Sequence, residues 1–148
     1  MDEYDRKILS ILSVEGRITM TALGDRVGLS KTPVTARVKR LEDAGVITGY
    51  RATLSASKLG VEHIAFLEVK LSDTREQSLK TFNEAVLAIP EVEACHMIAG
   101  GFDYLIKVRT ADIATYRRVL GEQISRLPNL ASTSTYISMQ SVVDSGPL

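Results

Sequence analysis

The chain has 148 residues, with 18 Lys and Arg balanced by 18 Asp and Glu, one cysteine and no tryptophan. That length holds one ordinary domain or two small ones, and 45% hydrophobic with 24% charged residues excludes a disordered or fibrous chain. One cysteine excludes an internal disulfide and a four-thiolate zinc site. No apolar run nears the ~20 residues of a membrane span, and the acidic Met1-Asp2-Glu3 start is unlike a signal peptide, so a soluble cytoplasmic protein is expected.

In chain order, Ile8, Ile11 and Leu12 fall at helical spacing in a segment from Asp2 to about Val14, ended by Gly16. Thr19 is placed to cap a second helix, Met20 to Val27, with Leu23 and Val27 one turn apart. Gly28 supplies a sharp exit, and Ser30 stands where a third helix needs its cap. Pro33 sits in that helix's first turn, where a missing N–H costs nothing. Val34, Val38 and Leu41 make its buried stripe, and Gly45 stops it. Three short helices with a glycine corner predict a helix-turn-helix unit over 1–50. Gly24, small where the second and third helices meet, predicts close packing there.

The charge balance is uneven. Residues 1–60 carry ten basic and seven acidic side chains, and Arg26 to Arg51 carries six against two. Opposite the buried stripe, the third helix presents Thr32, Thr35, Ala36, Lys39 and Arg40, with Lys31 and Arg37 on its flanks. Short hydroxyl residues let a helix lie deep in the major groove, and cations beyond them reach phosphates. Ser30, Lys31, Thr32, Thr35, Arg37, Lys39 and Arg40 are therefore the candidate DNA contacts, with double-stranded DNA the partner. A solvated helical hairpin is the alternative; it would more often mix Glu with Lys at i,i+4 on this face.

Val46 to Leu54 reads as extended, and the small, polar stretch from Ser55 to Gly60 as a hinge, giving a linker over 51–60. The period then changes. Glu62 to Leu71 reads as a strand; Ser78 to Ile89 as a helix closed by Pro90; Val92 to Ile98 and Tyr104 to Thr110 as strands joined by a tight connection. A helix capped by Asp112 and carrying Ile113, Tyr116, Leu120, Ile124 and Leu127 is closed by Pro128, and Thr133 to Val143 reads as a last strand. The order β-α-β-β-α-β predicts a ferredoxin-like second domain over 61–148, hence an α+β chain. The sheet face without helices needs cover, which a twofold dimer supplies; such a dimer also suits a pseudo-palindromic site.

Asp5-Arg6-Lys7-Ile8-Leu9, Arg26-Val27-Gly28-Leu29-Ser30, Thr32-Pro33-Val34, Arg40-Leu41-Glu42, Gly101-Phe102-Asp103-Tyr104-Leu105 and Thr135-Tyr136, in that order and spacing, resemble the Lrp/AsnC family of transcription regulators along nearly the whole chain. The resemblance implies a helix-turn-helix joined to an effector-sensing domain, and dimers that assemble into tetramers or octamers. It also implies an amino-acid effector bound at Ala99, Gly100, Gly101, Phe102, Asp103 and Tyr104, with Thr133, Thr135 and Tyr136 contributing from the last strand. Within the family the overall flavour is closest to regulators of proline catabolism.

The expected function is thus a DNA-binding transcription regulator whose assembly or operator affinity answers an amino acid, with no cofactor or metal. Cys95-His96 lacks further ligands at metal-site spacing. An enzyme fares poorly, since no nucleophile–base motif or phosphate loop is present and the chain has only two histidines. An architectural DNA-binding protein without an effector remains the rival.

Overall fold

The computed structural model describes residues 1–144, 146 and 147; Ser145 and Leu148, inside the span 61–148 given to the second domain, lie outside the described residues. The chain divides into two compact units, Met1–Ala52 and Thr53–Leu148.

The first unit is three helices, α1 (Glu3–Leu12), α2 (Met20–Val27) and α3 (Lys31–Asp43). A capping box opens α1: the Asp5 N–H donates to the Asp2 carboxylate at 3.0 Å, and the Asp2 N–H donates back to the Asp5 carboxylate at 3.2 Å. Thr19 caps α2 by accepting from the Ala22 N–H, and Gly28 leaves it in the left-handed region at φ +78°. Ser30 occupies the N-cap position of α3, but its hydroxyl makes no capping bond. Ile8, Leu12, Leu23, Val27, Val34, Val38 and Leu41 form the core. Gly24 is a point of close approach, though to the turn rather than to a helix face: a Cβ there would stand 2.5 Å from the Leu29 carbonyl oxygen. Beyond α3 the chain folds back, the Val46 and Ile47 N–H groups both donating to the Leu41 carbonyl, so 46–54 forms no strand.

The second unit begins with a short helix, α4 (Ala56–Leu59), capped by Ser55 and closed by Gly60 at φ +69°. The stretch read as a hinge therefore contains a helical turn. Then follow β1 (His63–Leu71), α5 (Glu76–Val86), β2 (Val92–Met97), β3 (Tyr104–Thr110), α6 (Ile113–Glu122) and β4 (Leu130–Ile137). The sheet order is β2-β3-β1-β4, every pair antiparallel. Ala65, Leu67, Val69 and Leu71 of β1, with Tyr104, Ile106 and Val108 of β3, pack against Phe82 and Val86 of α5 and Tyr116 and Val119 of α6. Both helices thus cover one face, as the βαββαβ order requires.

Three boundaries differ from expectation. α5 runs Glu76–Val86 rather than 78–89, because the residue before Pro90 is steered from helical geometry and the segment ends in tight turns. α6 stops at Glu122, and Ile124–Arg126 form a 3₁₀ turn before Leu127 goes extended ahead of Pro128. β4 runs Leu130–Ile137 rather than 133–143: Asn129, at φ +60°, turns the chain straight into pairing with Leu71. Val142 and Val143 are exposed beyond it.

Candidate DNA-binding and ligand-binding sites

On α3, Ser30, Lys31, Thr32, Thr35, Lys39 and Arg40 are exposed and Arg37 is partly so. Thr35 donates its hydroxyl back to the Lys31 carbonyl at 2.7 Å, an arrangement that keeps the side chain short against the helix. Lys39 pairs loosely with Asp43 at i,i+4, 3.3 Å apart.

Arg37 and Arg40 have an internal role that their pattern in the sequence did not disclose. Both reach α1. Arg37 Nη1 donates to Asp2 Oδ2 at 2.7 Å and to Asp5 Oδ1 at 2.8 Å, and Arg40 Nη2 donates to both Asp5 oxygens at 2.8 Å. Asp5 is only 1% exposed. Burial opposes its charged form, but Arg37, the Asp2 N–H and Arg40 outweigh it and hold the carboxyl below its ordinary range. The Arg40 side chain remains 61% exposed against 25% for Arg37, so Arg40 keeps donors free to face outward while Arg37 is largely spent. The Asp2-x-x-Asp5 spacing at a helix start was the available signal for this anchor.

In the second unit, residues 98–103 connect β2 to β3 above their last cross-strand pair, Met97 with Tyr104. Ala99, Gly100 and Gly101 are exposed, and a Cβ at Gly101 would meet nothing within 4 Å. Asp103 belongs to the sheet: its carboxylate accepts from the Leu71 N–H at 2.7 Å and its N–H donates to the Val69 carbonyl at 2.8 Å. Phe102 is partly buried, and Tyr104 is buried beneath α5, its ring stacked on Phe82 at 4.5 Å between centroids.

The β4 residues divide between the two faces. Thr133 shares a row across the sheet with Val69, Tyr104 and Met97. Thr135 exchanges a 2.6 Å hydrogen bond with the Tyr116 hydroxyl of α6, whereas the Tyr136 hydroxyl donates to Glu68 on β1. Within one chain the loop and Thr133 lie at the same end of the sheet, Thr135 lies one row farther along the same face, and Tyr136 belongs to the opposite face.

The helix-free face carries a further cluster absent from the sequence reading. Arg109 donates to Glu93 and to Asp144, and Lys107 lies 2.6 Å from Asp144 and 2.9 Å from Glu93. Lys107 and then Arg109 hold the Asp144 carboxyl below its ordinary range.

A helix-turn-helix unit whose third helix is exposed, followed by a separate α+β domain, is the architecture of a two-domain DNA-binding protein. Comparison with known proteins gives the family. The Lrp/AsnC ligand binding domain matches residues 64–148 and a winged helix-turn-helix DNA-binding domain matches residues 1–48. The proline dehydrogenase transcriptional activator of Rhizobium radiobacter is 62% identical over 99% of this chain and 94% of its own length. The leucine-responsive regulatory protein of Escherichia coli K12 is 42% identical over 100% and 90%. A transcriptional regulator from Neisseria meningitidis, solved as a complex with L-Met, superposes with TM-score 0.91 at 28% identity, covering 100% of this chain and 96% of that one. The chain belongs to the Lrp/AsnC family; it is a transcriptional regulator, as its relatives are, and not an enzyme. Among the described residues, no helix is long and apolar enough to cross a membrane.

Proposed function

We propose that this protein binds operator DNA in the cytoplasm as a homodimer that assembles further into tetramers or octamers, and that an amino acid changes its operator affinity or assembly. The observation that carries the reading is the exposed run Ser30, Lys31, Thr32 and Thr35 at the start of α3, free of acidic neighbours and preceded by the Gly28 corner. This is the end of a recognition helix that meets base edges. Lys39 and the outward side of Arg40 then meet phosphates. The effector's α-carboxylate and ammonium lie at the 99–103 connection, whose glycines allow close backbone approach. The likeness to activators of proline dehydrogenase suggests a gene of proline catabolism as the target. The ligand acts by its difference in affinity between two assembled states.

The test is DNA binding to the protein's own upstream region and to a proline dehydrogenase promoter, at fixed salt, with each of the twenty amino acids. A specific complex whose affinity or size changes with one amino acid is expected. Tight specific binding that none of them alters refutes the effector half. The open space around Gly101 makes Gly101→Glu compatible with folding, and it should blunt the response.

A further inference from the structure

The tail that follows β4 reaches back to the start of the second unit. Met139, Val142 and Val143 along it are exposed, so packing does not hold its middle. Its end is held. The Asp144 carboxylate accepts from Arg109 and lies 2.6 Å from Lys107 Nζ; the other carboxylate paired with these cations is Glu93. Without Asp144 the cluster would keep two cations against one anion, around an Arg109 side chain 5% exposed, and a buried charge left uncompensated is costly. Gly146 sits on the backbone of Leu54. Its φ is +82°, and a Cβ there would stand 2.5 Å from the Leu54 carbonyl oxygen, so glycine is required on both counts. Seven residues beyond Leu54, Arg109 takes a second hold, its Nη1 donating to the Val61 carbonyl at 3.2 Å. The segment 54–61, which carries α4, is thus pinned at both ends.

We propose that the C-terminal tail is a strap that sets the length of the moving linker between the two units. On the side of the first unit, Tyr50 is anchored: its hydroxyl donates to Glu42 of α3 at 2.8 Å, and its ring packs beside Gly16. With the tail seated, Arg51, Ala52 and Thr53, all exposed, are what lies between that anchor and Leu54. Such a tether spans at most about 14 Å. With the tail unseated, the next hold is Val61. The four residues of α4 are too few to stay helical alone, so the tether grows to residues 51–60 and reaches up to about 40 Å. The consequence for DNA rests on the dimer reading above. Two copies of α3 on short tethers meet half-sites near one separation, and longer tethers relax that demand.

Trypsin reads the tether directly, because Arg51 lies in its short form and Lys58 in the pinned segment. Initial cleavage rates after each residue are followed by mass spectrometry in the full chain, as wild type, Asp144→Asn and Gly146→Ala. Wild type should be cut faster after Arg51 than after Lys58. Both variants should raise the Lys58 rate about tenfold or more, since cleavage follows the population of the open form and each change disfavours the seated tail. The Arg51 rate should stay as it is. Cleavage after Lys70 in β1 and Lys107 in β3 should also stay as it is, which separates an unseated tail from an unfolded unit. A Lys58 rate unchanged in Gly146→Ala, whose charge cluster is intact, overturns the strap; so does acceleration that appears only together with Lys70 and Lys107. Operator binding supplies the second arm. An insertion of about five base pairs at the operator's centre, half a helical turn, should weaken wild type about tenfold more than Gly146→Ala. Equal losses overturn the control of spacing by the strap. If the insertion leaves wild-type binding unaffected, the dimer reading fails, while the Lys58 rates still decide the strap.

Discussion

Replacing Gly24 by alanine sets two effects of opposite sign against each other. In the interior of α2, alanine gains about 1 kcal/mol of helix propensity over glycine. The added Cβ, however, would stand 2.5 Å from the Leu29 carbonyl oxygen and 3.5 Å from the Leu29 and Ser30 carbonyl carbons, where an ordinary C···O contact is about 3.3 Å or more. Something must yield by roughly 0.8 Å on that contact distance, and what faces the methyl is backbone, not a pliable side chain. Overpacking of this kind costs about 1–3 kcal/mol. The Leu29 N–H to Gly24 carbonyl bond of 2.8 Å, worth about 1 kcal/mol, is strained by the same movement. The net expectation is a loss of about 2 kcal/mol, which lowers the melting temperature of a unit this small by about 10 °C. Scanning calorimetry of the full chain should show this in the transition of the N-terminal unit. Because the displaced turn sets the start of α3, operator affinity should fall as well. A melting temperature raised by several degrees would show that propensity governs the site and that the turn accommodates a methyl group.

The anchor on α1 gives the next expectation. Asp5→Asn should lower the urea midpoint of the first unit, since Arg37 and Arg40 lose their shared carboxylate; an unchanged midpoint would show the pairs to be ornamental. The folded pKa of Asp5 is depressed, so its contribution to stability is present above the ordinary carboxyl pKa and is lost as pH falls through the lowered value. Acid titration of wild type against Asp5→Asn should therefore show the two converging at low pH. Lys39→Ala should reduce the log–log salt slope of operator binding by about 0.9 per recognition helix if the ammonium meets a phosphate, and an undiminished slope would remove it from the interface.

Much of the architecture could be read from spacing because local signals and burial agree. Thr19 and Asp112 stand where caps are needed and both bond as caps. Leu23 and Val27, with Val34, Val38 and Leu41, mark the faces that become the first core. The β4 boundary could not be read this way: Val142 and Val143 continue an apolar pattern, yet β4 is an edge strand and nothing in its own sequence says where pairing with β1 ends. The site was legible to differing degrees. The α3 surface follows from helical period alone, whereas the commitment of Arg37 and Arg40 depends on Asp2 and Asp5, more than thirty residues earlier. The cluster of Lys107, Arg109, Glu93 and Asp144 is less visible still, because three separate segments supply its charges and only the fold brings them together.

The pairing of β1 with β4 has a consequence for how the molecule is made. β1 is complete at Leu71, but its partner on one side does not begin until Leu130. At roughly 5–20 residues per second of synthesis, the N–H and C=O groups along that edge of β1 stay unpaired for about 3–12 s. The helix-turn-helix, built from contacts near in sequence, needs no such wait. A growing chain of this protein thus carries a finished helix-turn-helix unit while its second unit still shows a bare, apolar strand edge, the feature that invites pairing with other chains. Proper assembly depends on β4 arriving before a neighbour does.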